Sequence, residues 1–186
     1  KILSKGGARA GDRLQLTKPL GFGVTTTAHK REQVEEHHLK EAVAWMTRLN
    51  RLGGQLAAEF GLRGGTDVTG YSLLGHGYEM ASASGVRFRL NFAGIPFVSG
   101  ARQYAEAWTF PGGAADNNLY FGKYVHFNPA LDEASQMLLF DPQTSGGLLL
   151  AVPADKLPGL LRRAEELGQP VWEIGEVVEG DGIEVV

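Results

Sequence analysis

The 186-residue sequence contains no cysteine. This absence excludes disulfides, cysteine nucleophiles and cysteine-ligated zinc within the chain. No stretch approaches the roughly 20 consecutive apolar residues that a membrane-spanning helix needs. The first residues, KILSKGG, lack the apolar core of a signal peptide. We therefore expect a cytoplasmic protein with no membrane partner.

The sequence also lacks a strong charge of either sign. Eighteen Lys and Arg residues face 21 Asp and Glu residues, which gives a net charge of −3. A general nucleic-acid surface requires clustered excess cations, so we expect no nucleic-acid partner. The composition, 43% hydrophobic and 21% charged, is typical of a globular protein and argues against disorder.

Glycine is the residue in excess. The chain has 26 glycines, about twice the usual share, and many are paired, at 6–7, 53–54, 64–65, 112–113 and 146–147. Paired glycines mark places where the backbone bends sharply or lies close to another group. The pattern favours a fold rich in loops, some of which could approach a phosphate.

The first half of the sequence predicts a short strand near 14–16 that ends before Pro19, because proline cannot donate to a strand ladder. Apolar residues at helical spacing predict a helix over 32–60, with a break or a close contact at Gly53-Gly54. A second helix is expected over 71–84, and alternating residues at 86–92 predict a half-buried strand.

In the second half, a helix is predicted over 98–108, a turn over 114–118 and a strand over 119–127. Residues 138–140 and 148–152 read as two strands joined by a loop. An amphipathic helix is expected over 154–167. Two further strands are expected, at 171–178 and 183–186. The elements do not alternate strictly, so we expect an α+β fold, a mixed sheet packed with helices in a single domain over 1–186.

Two loops could carry chemistry. In the first, TDVTG at 66–70, Asp67 could place a carboxylate oxygen on Mg²⁺ beside phosphate groups. Asp67 and Thr66 could equally cap the helix that follows. In the second, DPQTSGG at 141–147, Gln143 and the hydroxyls could hold a ligand or stabilise a turn. Neither loop has the spacing of a P-loop.

The remaining polar candidates are weaker. His37 and His38 are adjacent on the predicted helix, so we expect them to be solvated and poorly placed to clamp a metal. For His76 we favour a packing role. Lys18 could reach a phosphate, although an exposed lysine at a strand end is the default expectation. No Ser/His/Asp triad can be assigned from these spacings.

Several segments together resemble a known family. They occur in one order: LTKPLG at 16–21, MTRLN at 46–50, TDVTGYSLLGH at 66–76, EMA at 79–81, SGV at 84–86, IP at 95–96, PGG at 111–113 and DPQTSGGLL at 141–149. This order closely resembles the C-terminal domain of selenophosphate synthetases (selenide, water dikinases), within the group that shares the aminoimidazole ribonucleotide synthetase-like fold. The resemblance covers nearly the whole chain.

The resemblance implies an enzyme that makes selenophosphate, AMP and phosphate from selenide, ATP and water with Mg²⁺. In the family, an N-terminal domain forms a dimeric barrel and carries most catalytic and ATP-binding groups. We therefore expect that domain as a partner, a homodimer in the whole protein, and no catalytic or cofactor-binding residue in this chain. The family's TDVTG aspartate joins the metal site, which makes Asp67 the expected metal ligand. The chain alone is expected to be inactive.

The sequence departs from the family pattern at three places. Residues 62–65 replace the usual residues before TDVTG, Tyr71-Ser72 replaces Phe-Gly, and Trp108 stands where glycine is common. Two alternative functions are kept open. One is another ATP-dependent synthetase or kinase of the same group, such as a thiamine-monophosphate kinase or a hydrogenase-maturation type. The other is a stand-alone domain that binds a nucleotide or a partner.

Overall fold

A computed structural model describes residues 3–186, and within them it contains seven strands and eight α-helices. The strands are β1 (Arg13–Leu16), β2 (Gly64–Asp67), β3 (Arg87–Leu90), β4 (Val125–Phe127), β5 (Leu148–Val152), β6 (Trp172–Val178) and β7 (Ile183–Val185). The helices are α1 (Phe22–Lys30), α2 (Glu36–Thr47), α3 (Arg51–Glu59), α4 (Ser72–Ser84), α5 (Ala101–Glu106), α6 (Gly112–Phe121), α7 (Glu133–Leu138) and α8 (Leu157–Glu166). No helix in this range has the length and apolar character needed to cross a bilayer.

The strands form one mixed sheet in the order β2-β5-β1-β6-β3-β7-β4. The pairs from β2 to β3 are antiparallel, whereas β7 runs parallel to both of its neighbours, β3 and β4. The expected α+β class, with a mixed sheet packed with helices, is confirmed. Strand β2 lies at one edge, so the end of β2 is accessible from the side of the sheet.

Helices cover both faces of the sheet at β5. Leu149 belongs to the main apolar core, which includes Leu73 and Met80 of α4. Its neighbour Leu150 belongs to a smaller cluster with Ala57 of α3 and Leu160 of α8. Successive side chains of a strand point to opposite faces, so α4 lies on one face and α3 and α8 on the other. A third cluster joins α1, α2 and α5.

The long helix expected over 32–60 is divided in two. Helix α2 ends at Thr47 and α3 begins at Arg51, because Arg48 takes an extended conformation (φ −69°, ψ 122°). The glycine pair does not break the helix. Gly53 is buried within α3, and a Cβ at this position would lie 3.2 Å from Cγ2 of Thr17. The close contact was the correct alternative of the two.

Three other predictions of local structure were wrong. Thr66 and Asp67 are strand residues of β2 and do not cap α4, whose N-cap residue Tyr71 makes no side-chain capping bond. The turn and strand expected over 114–127 are largely helix α6, and only the last three residues form a strand. Of residues 138–140, expected as a strand, Leu138 is the last residue of α7 and the other two form a turn. In the last two cases, contacts with the rest of the fold outweighed local strand propensity.

Candidate functional site

The two loops selected from the sequence lie side by side in the structure. Asp67, the last residue of β2, pairs with Leu148, the first residue of β5. Just beyond this pair, the Val68 N–H donates to the Gly147 carbonyl at 2.8 Å, and the Gln143 N–H donates to the Thr69 carbonyl at 3.0 Å. The TDVTG and DPQTSGG segments therefore form one unit at the edge of the sheet.

The DPQTSGG segment also holds the start of α1. The side-chain Oε1 of Gln143 accepts the N–H groups of Gly21 at 3.0 Å and Phe22 at 3.1 Å. Asp141 Oδ2 accepts the N–H of Gly23 at 2.9 Å. The first amides of a helix have no partner within the helix, and these two side chains satisfy three of them. Gln143 is thus a structural cap.

Asp141 is the most perturbed carboxyl group described. Its side chain is completely buried, and burial raises the pKa of Asp141 to about 8, against the opposing effect of hydrogen bonds from Gln143 and the α1 amides. Its second oxygen, Oδ1, has no hydrogen-bond partner within residues 3–186. The carboxyl is therefore largely protonated at neutral pH, and its role is to support α1.

Lys18 is buried, although the sequence predicted an exposed lysine. Its Nζ donates to the Ser145 carbonyl at 2.7 Å, and burial, followed by repulsion from Arg48, lowers the pKa of the Lys18 ammonium. Asn50 Nδ2 donates to the neighbouring Gly146 carbonyl at 2.8 Å. These two hydrogen bonds fix the backbone of the DPQTSGG segment at Ser145 and Gly146. No room remains at Gly146 for a side chain, because a Cβ would overlap the carbonyl of Val68.

Asp67, the predicted metal ligand, lies exposed at the end of the edge strand. Its backbone carbonyl accepts from Thr66 Oγ1, and its carboxylate has no partner among residues 3–186. Mg²⁺ typically takes one or two protein carboxylates and completes its octahedron with waters and phosphates. A free, solvent-facing carboxylate fits that role as one ligand.

His76 lies beneath the TDVTG segment and is buried, in agreement with a packing role. Its Nε2 accepts the Tyr71 N–H at 3.3 Å and lies 3.0 Å from Thr69 Oγ1. Its Nδ1 lies 3.1 Å from Glu79 Oε2, which also pairs with Lys5 at 2.6 Å. Because Nε2 accepts a backbone proton, the ring proton lies on Nδ1 and faces Glu79.

Burial lowers the pKa of His76, although the hydrogen bond and charge of Glu79 act in the opposite direction. The ring therefore serves as a neutral acceptor between the turn at 69–71 and helix α4. Asn117 of α6 holds the same turn from the other side, since its Nδ2 donates to the Gly70 carbonyl at 2.9 Å. The backbone that follows Asp67 is fixed from two directions.

Two departures from the family pattern fall on residues with positive φ. Ser72 has φ 68° and Trp108 has φ 56°, a left-handed conformation that glycine adopts without strain and other residues adopt at a cost. The Ser72 side chain is fully buried at the start of α4. Both positions therefore have a backbone geometry that glycine would adopt without strain.

An aromatic groove, formed by α4 and α6, lies next to this site. It has a volume of about 590 Å³ and is lined by Tyr71, Tyr78, Glu79, Leu119 and Tyr120, among others. Leu119 is 86% exposed and Tyr120 is 64% exposed. Apolar side chains this exposed, grouped beside a candidate ligand, are typical of an interaction surface.

Sequence reasoning did not assign the cap that Asp141 and Gln143 provide, nor the support from Asn50 and Asn117. Each of these contacts joins residues that are far apart in the chain. One available signal was the position of Gly21 and Gly23 on either side of Phe22, since glycines at a helix start leave amides accessible to a distant acceptor.

The mixed sheet, the helices on both faces and the loop pair at the sheet edge define a class of α+β domain that recurs in solved structures. The structure superimposes on a thiamine-monophosphate kinase from Stenotrophomonas maltophilia with a TM-score of 0.69 at 17% identity, over 98% of this chain and 52% of that chain. It superimposes equally well on the Escherichia coli hydrogenase maturation protein HypE, with a TM-score of 0.69 at 19% identity, over 99% of this chain and 48% of that one. At these identities the likeness concerns the fold alone.

The family model for the C-terminal domain of AIR synthase related proteins matches residues 9–186, so the chain belongs to that family. Among curated proteins, it is 43% identical to a selenide, water dikinase from Myxococcus xanthus over the whole chain and 54% of that protein. A selenide, water dikinase from Pseudomonas aeruginosa is 42% identical over 96% of the chain and 51% of its own length. The chain spans about half the length of the curated relatives it matches.

Proposed function

We propose that this chain is the C-terminal domain of a selenide, water dikinase, which converts selenide, ATP and water to selenophosphate, AMP and phosphate. The observation that carries the proposal is the 42–43% identity to such enzymes along nearly the entire chain. Identity to the superimposed kinase and maturation protein is only 17–19%, so a thiamine-monophosphate kinase or hydrogenase-maturation role is less well supported.

In this proposal, Asp67 binds Mg²⁺ as a single carboxylate ligand from the C-terminal half. When bound, the ion neutralises phosphate charge as phosphoryl groups leave ATP. The chain's own contribution is to hold Asp67 in place. His76 and Asn117 fix the turn that follows it, and the pairing of β2 with β5 fixes the strand that precedes it.

The partner that completes the site is the N-terminal domain, which corresponds to the half of the relatives that this chain does not span. The position of the aromatic groove supports the proposal that the N-terminal domain binds here, because Tyr71 belongs both to the groove and to the turn next to Asp67. A domain that covers Leu119 and Tyr120 would exclude water beside the metal ligand. The family resemblance further supports a cytoplasmic homodimer with selenide and ATP as its small-molecule substrates.

The test is selenophosphate formation by the full-length protein. Asp67→Asn should lower the rate at saturating ATP by roughly 100-fold or more, since a metal ion contributes several kcal/mol of transition-state stabilisation. Asp155→Asn removes another exposed carboxylate and should leave the rate unchanged. The proposal fails if full-length protein consumes ATP only with another acceptor, such as thiamine monophosphate. Wild-type activity in Asp67→Asn would show that Asp67 is not a metal ligand.

A further inference from the structure

A separate group of metal-ligand side chains lies at the start of α2. The ligand atoms of Glu35, His37 and His38 all lie within 4.8 Å of one another. The sequence argument against metal binding by His37 and His38 assumed that the residues on both sides of them are also helical. Glu35 instead precedes the helix with an extended backbone (φ −75°, ψ 138°), so its carboxylate reaches the first turn, 3.7 Å from His37 Nδ1.

His38 is the fixed member of this group. It is only 7% exposed, which corrects the prediction that it is solvated. Its Nδ1 lies 2.7 Å from the Tyr104 hydroxyl, and the backbone of Gly100 closes against the ring, where a Cβ would overlap it. The other ring nitrogen, Nε2, has no hydrogen-bond partner within residues 3–186.

Tyr104 organises two members of the group at once. Its hydroxyl oxygen accepts the Glu35 N–H at 3.0 Å as well as contacting His38 Nδ1. Histidines that bind metals usually donate the second ring N–H to an oxygen acceptor, which sets the tautomer and the ring orientation. The contact between His38 and Tyr104 holds the ring in one orientation before any metal is bound, and it provides this arrangement in the tautomer that carries the ring proton on Nδ1.

The spacing suits a small cation with tetrahedral coordination. Two ligands at 2.0–2.2 Å from Zn²⁺ lie about 3.4 Å apart, close to the 3.7 Å between Glu35 Oε2 and His37 Nδ1. The side chains of Glu35 and His37 are 52% and 69% exposed, so both can rotate to close the remaining distance to His38. Two imidazoles with one carboxylate suit zinc, nickel or copper, and suit Mg²⁺ poorly.

We infer that Glu35, His37 and His38 form a binding site for a divalent transition metal, with Zn²⁺ as the reference ion. The fourth position is left to water. This site is built from Glu35, which precedes α2, from the first turn of α2 and from the supporting helix α5, and it shares no residue with the unit formed by the TDVTG and DPQTSGG segments.

The test is calorimetric titration of the untagged chain with Zn²⁺, with Co²⁺ absorption as a second probe of coordination. One saturable site is expected, unaffected by excess Mg²⁺. His37→Ala and Glu35→Gln should each weaken Zn²⁺ binding about 10-fold or more. His29→Ala removes another exposed histidine and serves as the matched control, with affinity equal to that of the parent chain.

His38 is buried, so its replacement could disturb folding, and Tyr104→Phe provides the alternative. Loss of an outer hydroxyl that orients a ligand typically costs 10–100-fold in metal affinity, and circular dichroism would establish that this variant is folded. The proposal is overturned if no saturable binding is seen, or if His37→Ala and Glu35→Gln bind Zn²⁺ as tightly as His29→Ala does.

Discussion

The Asp141 carboxyl oxygen Oδ2 accepts a hydrogen bond from the Gly23 N–H at 2.9 Å, across 118 positions of sequence. A side chain on Gly23 would overlap the other carboxyl oxygen, Oδ1. The buried acid and the glycine are therefore complementary, and the pairing locks the end of the TDVTG–DPQTSGG unit to helix α1.

The raised pKa of Asp141 predicts a pH-dependent stability. The folded state keeps a proton that the unfolded state releases above its ordinary pKa of 3.8. The free energy of unfolding should therefore fall as pH rises from about 4 to 8, with a slope from this group of at most about 1.4 kcal/mol per pH unit. Urea unfolding of the chain at several pH values measures the slope.

Asp141→Asn is the matched variant, because its amide oxygen can still accept the Gly23 N–H and it carries no titrating proton. Its stability should change less with pH than that of the parent chain, and it should be the more stable of the two near pH 8. Parallel curves for the two proteins would show that Asp141 is ionised in the folded state.

Replacing Ser72 is expected to raise the stability of the chain. A non-glycine residue in the left-handed region costs about 1–2 kcal/mol, and Ser72 has φ 68°. Ser72→Gly should therefore stabilise the chain by roughly 1 kcal/mol, after allowance for the extra backbone entropy of glycine. In the same helix, Ala83→Gly should destabilise by about 1 kcal/mol. The denaturant midpoints of the two variants measure these changes in stability. If both variants lose the same stability, Ser72 is not strained.

His76→Ala should destabilise the chain by about 1–3 kcal/mol, since it leaves the Tyr71 N–H without an acceptor and removes one of the two partners of the Glu79 carboxylate. Glu79→Gln keeps a hydrogen-bond acceptor for His76 Nδ1 and should cost much less. Urea unfolding compares the two. If the two variants lose the same stability, the contacts at Nε2 contribute nothing measurable.

The chain by itself should bind Mg-ATP negligibly, because Asp67 is a single ligand and most nucleotide contacts are proposed for the N-terminal domain. Calorimetry with the isolated chain measures this directly. Tight binding that is lost in Asp67→Ala would instead support a stand-alone nucleotide-binding domain, and the proposed function would then need revision.

In the full-length protein, Leu119→Asp should lower activity several-fold by placing a charge in the interface with the N-terminal domain. Leu119 is highly exposed in the isolated chain, so the chain's own thermal stability should be unchanged. Leu161→Asp, on the partly exposed surface of α8, serves as the control and should retain activity. Full activity in Leu119→Asp would place the interface elsewhere.

The strands near 14–16, 86–92, 148–152 and 171–178 could be predicted from the sequence because their apolar residues are local and regular. The secondary structure of residues 112–127 could not be predicted in this way. Tyr120, Phe121 and Tyr124 favour a strand locally, whereas packing against α4 and the Gly70 carbonyl selects helix α6. Similarly, nothing local to Lys18 indicates burial, since its partner at Ser145 lies 127 residues away.

Long-range capping of α1 also has a consequence for the order of folding. During synthesis the α1 residues leave the ribosome well before Gln143 and Asp141, which accept their first amides. Contacts of such sequence separation form late, because loop closure must come first. Helix α1 should therefore remain frayed in nascent chains that end before residue 141, and hydrogen exchange at Gly21, Phe22 and Gly23 should become slow only once the DPQTSGG segment has emerged.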